Sequence, residues 1–527
     1  MSSSTGKEFS RWRSFLWPIH RNEIKKFLPL LLIFALISLN YSILKAAKDS
    51  LVITAEGAGA ETILFIKVWV ILPMAFLVTY LFTRLFNRYS QEKIFYIMIG
   101  SFLSFFLLFA FVLYPLRDLI HPHETADRLQ AILPQGFRGL ISIFRNWSYT
   151  LFYVMSELWG TAIMAVFFWG FTNEITSVKE AKRYYGILGV GANVAAIFSG
   201  QITIMLSTNS LDLSFLFGPD RWGQSLGLVT SVVTVAGLLT MGVFKWYHVR
   251  VINKDPSMRQ AQKEHVEHKK KIKLGMRKTF SYLAKSKYLL CIAILVIGFN
   301  VAINMVEIIW KDQIKTLYPH PNDFNAYMGK VLIAIGCASV FIGLFLCSNL
   351  IRRLGWVFSA LITPIALLVT GFFFFSVILL KDSPTMMTWS AALGLTPLAL
   401  GVLFGTVQNV FSRACKYTLF DATKEISFIP LSPESKLKGK AAIDGVGSRL
   451  GKSGGSVVHG SLLMIFGSIS LSTPYVGIIL LAVVIGWIGA VKSLGRQFTR
   501  LTSDEQKIEI DDLEAAPSEK KPLLDSV

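Results

Sequence analysis

Charged side chains are scarce in this chain, at 16% of 527 residues, where a soluble protein carries about a quarter. That shortage excludes an ordinary water-soluble globular domain. Cysteine is almost missing too. Cys291, Cys337, Cys347 and Cys415 lie scattered through apolar segments, which excludes a disulfide framework, a zinc module and a thioredoxin-type centre and predicts inert core residues. The eight histidines are dispersed, mostly in polar stretches, so no His/Asp/Cys constellation marks a metal site or a hydrolase. No cofactor is expected. Acidic residues are the minority sign, 33 against 53 basic. The excess falls in alternate loops, which argues against nucleic acid as the partner.

Hydrophobic residues make up 53% of the chain, and apolar runs of about 20 residues, the length that crosses a bilayer as a helix, recur along its length. They predict an all-α polytopic membrane protein with twelve transmembrane helices, near 27–48, 62–84, 93–114, 140–171, 184–206, 226–247, 289–310, 328–351, 355–380, 389–414, 441–468 and 474–494. Residues 1–26 are polar and basic (Arg11, Arg13, Arg21, Lys25, Lys26). The first apolar run is too long for a signal-peptide core, so an uncleaved first span is expected. With twelve spans the basic loops share one side, which the positive-inside rule makes cytoplasmic, together with both termini.

The long polar stretch 248–288 separates six spans (27–247) from six (289–494), and 495–527 forms a tail whose end reads as disordered. The halves share landmarks. Lys48-Asp49 ends the first span, with Lys67 following; Lys311-Asp312 ends the seventh, with Lys330 following at the same interval. Two parallel six-helix repeats suggest a major-facilitator-like plan with a substrate site at the midplane between the halves.

A charge at mid-bilayer costs about 2.5–3.5 kcal/mol, so embedded charges mark a cavity or a pairing. Four spans carry polar stripes at helical spacing: Tyr41, Lys45 and Lys48 on the first; Tyr149, Tyr153 and Glu157 on the fourth; Asn300, Asn304, Glu307 and Lys311 on the seventh; Asn409, Arg413 and Lys416 on the tenth. In the major-facilitator plan these are the innermost helices. The eleventh adds Lys440, Asp444, Ser448 and Lys452. Bland readings stand beside each: Lys48 and Lys311 as snorkelling span ends, Glu157 as half of a structural ion pair, Asp444 with Lys440 as a helix-internal pair. Cations outnumber carboxylates along these faces, which implies an anionic substrate. A triphosphate carries about four negative charges, which three or four lysines or arginines balance.

The stretch from Gly439 to Ser456, GKAAIDGVGSRLGKSGGS, imitates a phosphate-binding P-loop at Gly451-Lys452-Ser453. The required glycine five residues earlier is replaced by Val446, and an apolar helix follows with no strand before it. Glycines for close helix packing or a local helix break are expected instead.

Long motifs then give a resemblance. NYSILKAAKDSLV (40–52), SELWG (156–160), FWGFTNEIT (168–176), GVGANVA (189–195), NMVEIIWKDQ (304–313), DATKEISFIPL (421–431), GKAAID (439–444) and GKSGG (451–455) resemble the ATP/ADP translocase family of obligate intracellular bacteria and plastids, over about residues 16 to 500. The resemblance implies a nucleotide transporter of the bacterial inner membrane working by alternating access. Its functional charges would fall on Lys48, Glu157, Glu307 and either Lys438 or Lys440. Strict ATP/ADP exchangers have Arg-Asp-Thr-Lys-Asp at the first helix, where this chain has Lys45-Ala46-Ala47-Lys48-Asp49. That departure looks closer to broader importers of nucleoside triphosphates, some proton-coupled. The expected substrates are therefore ATP and ADP, with GTP, CTP and UTP, and protons as coupling ion through Glu157, Glu307 or Asp444. Rival readings are a transporter of a dinucleotide or sugar phosphate, and a membrane-embedded transferase.

Overall fold

The computed structural model describes residues 19–21, 23–176, 178–208, 212–254, 286–431 and 439–515, and among them the ordered elements are all helical. In hydrocarbon every backbone N–H and C=O must find its partner within its own segment, which leaves these long apolar runs no alternative to helix. Eleven helices are long and apolar enough to span: α1 (Ile24–Ile53), α2 (Glu61–Val78), α3 (Glu92–Leu113), α4 (Trp147–Ile175), α5 (Arg183–Ser207), α6 (Arg221–Arg250), α7 (Lys287–Leu317), α8 (Pro321–Cys347), α9 (Asn349–Leu379), α10 (Pro397–Ser427) and α12 (Ile469–Leu501). The remaining expected span, α11, is also a helix. It begins as a wide π-type turn over Ala441–Gly447 and continues as Ser448–Phe466, about 39 Å at 1.5 Å per residue. It is less apolar because its first half carries Asp444, Arg449 and Lys452.

Each half is built around its first helix. The α1 helix packs against α4, α5 and α6, and α7 packs against α10, α11 and α12. The halves meet along two seams, α5 with α8 and α2 with α11. At the first seam the backbones touch. A Cβ on Gly200 would lie 2.5 Å from the Gly329 carbonyl oxygen, and one on Gly329 would lie 2.8 Å from that of Gly200. Two turns on, a Cβ on Gly336 would lie 2.8 Å from the Asn193 carbonyl. Any other side chain at Gly200 or Gly329 would force the helices apart.

Both ends of the stretch expected as a linker are helical, since α6 runs to Arg250 and α7 starts at Lys287; residues 255–285 lie outside the described residues. At the other end, the helix of α12 continues to Ala515, past the end of the expected span and into the tail. The sequence there, SDEQKIEIDDLEA, is rich in helix-forming residues. Among the four cysteines, all free, Cys291 and Cys415 are buried but Cys337 is exposed on α8 and Cys347 is half-buried.

Candidate substrate site

The stripes of α1, α4, α7 and α10 converge on one chain of alternating charge. Glu157 accepts from Lys48 at 3.1 Å, and Lys48 lies 3.4 Å from Asp49. Asp49 accepts from Lys311 at 2.7 Å. Lys311 also reaches Glu307 at 2.8 Å, and Glu307 accepts from Arg413 at 2.8 Å. Three carboxylates and three cations thus cancel. Lys48 additionally sits 3.5 Å above the ring of Tyr153, a cation–π contact that strengthens with desolvation. Arg413 is oriented by donating its Nε–H to Asn409 at 2.8 Å.

The middle of the chain is the driest part. The side chains of Lys48, Asp49 and Lys311 are 3%, 1% and 2% exposed. Desolvating such ions costs several kcal/mol each, recovered only while every partner is in place. The snorkelling reading of Lys48 and Lys311 is therefore replaced by buried pairing. Beyond them, Ser50 donates to Asn325 at 3.1 Å and Asn325 to Ser207 at 2.9 Å, tying α1, α8 and α5. Lys315 donates to the Ala58 carbonyl. The site is sealed on this side, away from the basic loops.

On the basic-loop side the cations become accessible. Lys45, one turn before Lys48, is half-buried, and Lys452 of α11 is exposed. Neither makes an ion pair among the described residues. They supply the positive excess that the neutral chain lacks. Further out, Lys416 faces Asp421 at 3.4 Å. Asp444 accepts from Lys424 at 2.8 Å, and Lys440 pairs with Glu425. The expected helix-internal pair of Asp444 with Lys440 is thus replaced by two pairs from α11 to the end of α10. The physical reason is the wide turn that opens α11, which directs both side chains at a neighbouring helix already carrying Lys424 and Glu425. Lys438 lies outside the described residues.

Three stripe members point elsewhere. Tyr149 stacks on Tyr114 with ring centres 5.9 Å apart and meets the His121 ring edge-on at 4.9 Å, remote from the charges. There the His121 ring bonds Ser148 at 2.7 Å, and burial, with His123 nearby, pushes its pKa down to about 4. Asn300 and Asn304 bind α7 to α11. Asn300 lies 3.4 Å from the Ser448 hydroxyl, and Asn304 donates to the Lys452 carbonyl at 2.9 Å and to Ser456 at 2.6 Å. The P-loop look-alike belongs to this seam. A Cβ on Gly451 would lie 3.0 Å from the Ile297 carbonyl, and one on Gly455 3.2 Å from Val301 Cα, so these glycines serve close packing.

Two residues join the charges without lying on a stripe. Asp49 is the link between the halves, yet it sits next to Lys48 rather than on its stripe. Lys67 of α2 donates to the Asn304 side-chain oxygen, adding a cation from a helix outside the inner four. Both stood in the repeated landmarks Lys48-Asp49 and Lys67, which carried the signal.

The profile of a family described as TLC ATP/ADP transporter matches residues 2–498. The chain is 43% identical over 527 residues, all of its own length and 98% of the relative's, to ADP,ATP carrier protein 1 of Chlamydia muridarum. It is 42% identical over 97% of its length, and 80% of the relative's, to the chloroplastic ADP,ATP carrier protein 2 of Arabidopsis thaliana. Among solved structures it is similar to a bacterial homologue of the iron transporter ferroportin in an inward-facing state, with a TM-score of 0.48 and 15% identity over 90% of this chain and 99% of that one. With matches of this length and identity, the chain is a member of the TLC ATP/ADP transporter family, a multi-pass membrane protein.

Proposed function

We propose that the chain exchanges nucleotides across the bacterial inner membrane by alternating access, ATP and ADP first, with both termini and the basic loops cytoplasmic. The observation that carries this reading is the neutral chain Glu157–Lys48–Asp49–Lys311–Glu307–Arg413, flanked by Lys45 and Lys452. Without substrate, Glu157 and Glu307 occupy the cations. A polyphosphate entering from the accessible side meets Lys45 and Lys452, then competes with Glu157 for Lys48 and with Glu307 for Arg413 and Lys311. Its charge replaces theirs, so charge balance survives and the halves are free to rock. Lys416, Lys440 and Asp444 form the approach. Asn300 and Asn304 hold α7 against α11, Asn409 orients Arg413 and Tyr153 lies beneath Lys48, while Tyr149 packs the outer end of α4.

The departure at Lys45-Ala46-Ala47-Lys48 supports a second reading, proton-coupled uptake of ATP, GTP, CTP or UTP. Protons on Glu157, Glu307 or Asp444 would then stand in for the exported nucleotide. Uptake of labelled ATP, GTP, CTP, UTP and ADP into bacterial cells expressing the chain, with and without internal nucleotide, separates the two. Exchange predicts ATP uptake that requires preloaded nucleotide and ignores an uncoupler. Uptake into unloaded cells that an uncoupler abolishes would sink the exchange reading. No saturable uptake of any of the five would sink both.

A further inference from the structure

A groove of about 650 Å³ runs between α1 and α6 on the outside of the N-terminal half, away from the substrate site. Its walls are wholly apolar, with Leu28 and Leu32 from α1 and Val235, Leu239 and Trp246 from α6. Gly242 forms part of the floor, and a Cβ there would meet no atom within 4 Å. From Val235 to Trp246 the groove extends about 17 Å along α6, close to half the thickness of a bilayer's hydrocarbon core of about 30 Å. That is the depth of one leaflet, measured from the basic-loop face.

The mouth of the groove is positive. Lys25 lies one turn before Leu28, and Lys245 adjoins Trp246; both are exposed and make no ion pair among the described residues. The carboxylates on neighbouring elements are engaged elsewhere, Glu23 by Arg183 and Glu92 by His248 at 3.4 Å. Neighbouring Lys26 shows the contrast, since it is tied to Glu180 at 2.8 Å.

We propose that this groove binds one anionic phospholipid of the leaflet on the basic-loop face, its acyl chain between α1 and α6 and its phosphate between Lys25 and Lys245. The length of the groove selects a lipid chain, and the two uncommitted lysines select the headgroup charge. Trp246, half-exposed at the mouth, supplies an indole N–H at headgroup level, where tryptophan is enriched.

The test is native mass spectrometry of the full chain released from micelles doped with phosphatidylglycerol or with phosphatidylcholine of the same acyl chains. One phosphatidylglycerol retained in preference to phosphatidylcholine is expected. Gly242→Leu fills the groove, faces open space and replaces glycine with a better helix former, so it folds and loses that lipid. Lys25→Gln with Lys245→Gln weakens retention about thirtyfold, the weight of two lysines at an anionic headgroup. Phosphatidylglycerol retained undiminished by Gly242→Leu would overturn the proposal. So would equal retention of both lipids, or a protein dimer that the same substitution abolishes.

Discussion

The two halves use the same helices for their central charges, but with the signs exchanged. In the N-terminal half the first helix supplies the cation, Lys48, and the fourth the carboxylate, Glu157. In the C-terminal half the first helix supplies the carboxylate, Glu307, and the fourth the cation, Arg413. Two identical pairs facing each other would put like charges together, whereas exchanged pairs can join end to end. Asp49 to Lys311 is the joint. The landmark Lys–Asp is thus repeated in sequence without being repeated in role. Asp49 is fully buried between two lysines, while Asp312 is half-buried with Gln313 at 3.5 Å.

The joint is where the comparison breaks most sharply. Asp49→Asn leaves Lys48 and Lys311 each with one glutamate and disconnects the two charge pairs. Removing one partner of a buried pair costs about 3–5 kcal/mol, so labelled-ATP uptake per molecule in the membrane should fall by at least about a hundredfold. Uptake near the unmodified rate would show that the two pairs work independently.

A smaller effect separates the halves by their seams. Asn304 makes three side-chain bonds, to Lys452, Ser456 and Lys67. Asn40 makes one, to the Val233 carbonyl at 3.0 Å, and its side-chain oxygen has no partner among the described residues. Asn304→Ala should cost about 1–3 kcal/mol by leaving polar groups unmet, and Asn40→Ala clearly less. Thermal unfolding of the purified protein measures both, and an equal loss would contradict the difference.

The smallest effect lies outside the bilayer, in the N-terminal half's loop between α3 and α4. The folded pKa of His121, about 4, lies below the ordinary value of about 6.5. Folding therefore favours the neutral ring. The stability it contributes is whole above about pH 6.5 and is lost as pH falls through that value towards 4. His121→Gln should flatten this part of the dependence of melting temperature on pH, and an unchanged slope would refute the assignment.

Helix number and position were legible because length and apolarity over about 20 residues suffice to call a span. Even α11 was legible from its C-terminal run, despite a first half that looks polar in isolation. The stripes located Lys48, Glu157, Glu307, Lys311 and Arg413, since helical spacing puts residues of one helix on a common face. Spacing cannot say which residue of another helix lies opposite. Asp49, one residue from Lys48, drew its importance from Lys311, more than two hundred positions away. Asn300 and Asn304 share a stripe with Glu307, but a helix in a bundle touches several neighbours, and these two serve α11. The pairing of Asp444 with Lys424 rather than Lys440 depended on a widened turn that no residue pattern announces.

The crossing of Gly200 with Gly329 is, in mechanical terms, a dry bearing. Two rigid rods touch there with no compressible side chain between them, so they turn against each other without sliding or sinking. On the proposed cycle, closing one mouth of the protein must then open the other, as the two ends of a seesaw are obliged to do. A methyl group at either glycine would act as a shim: it would lift the rods apart, add play to the axle and let both mouths gape together.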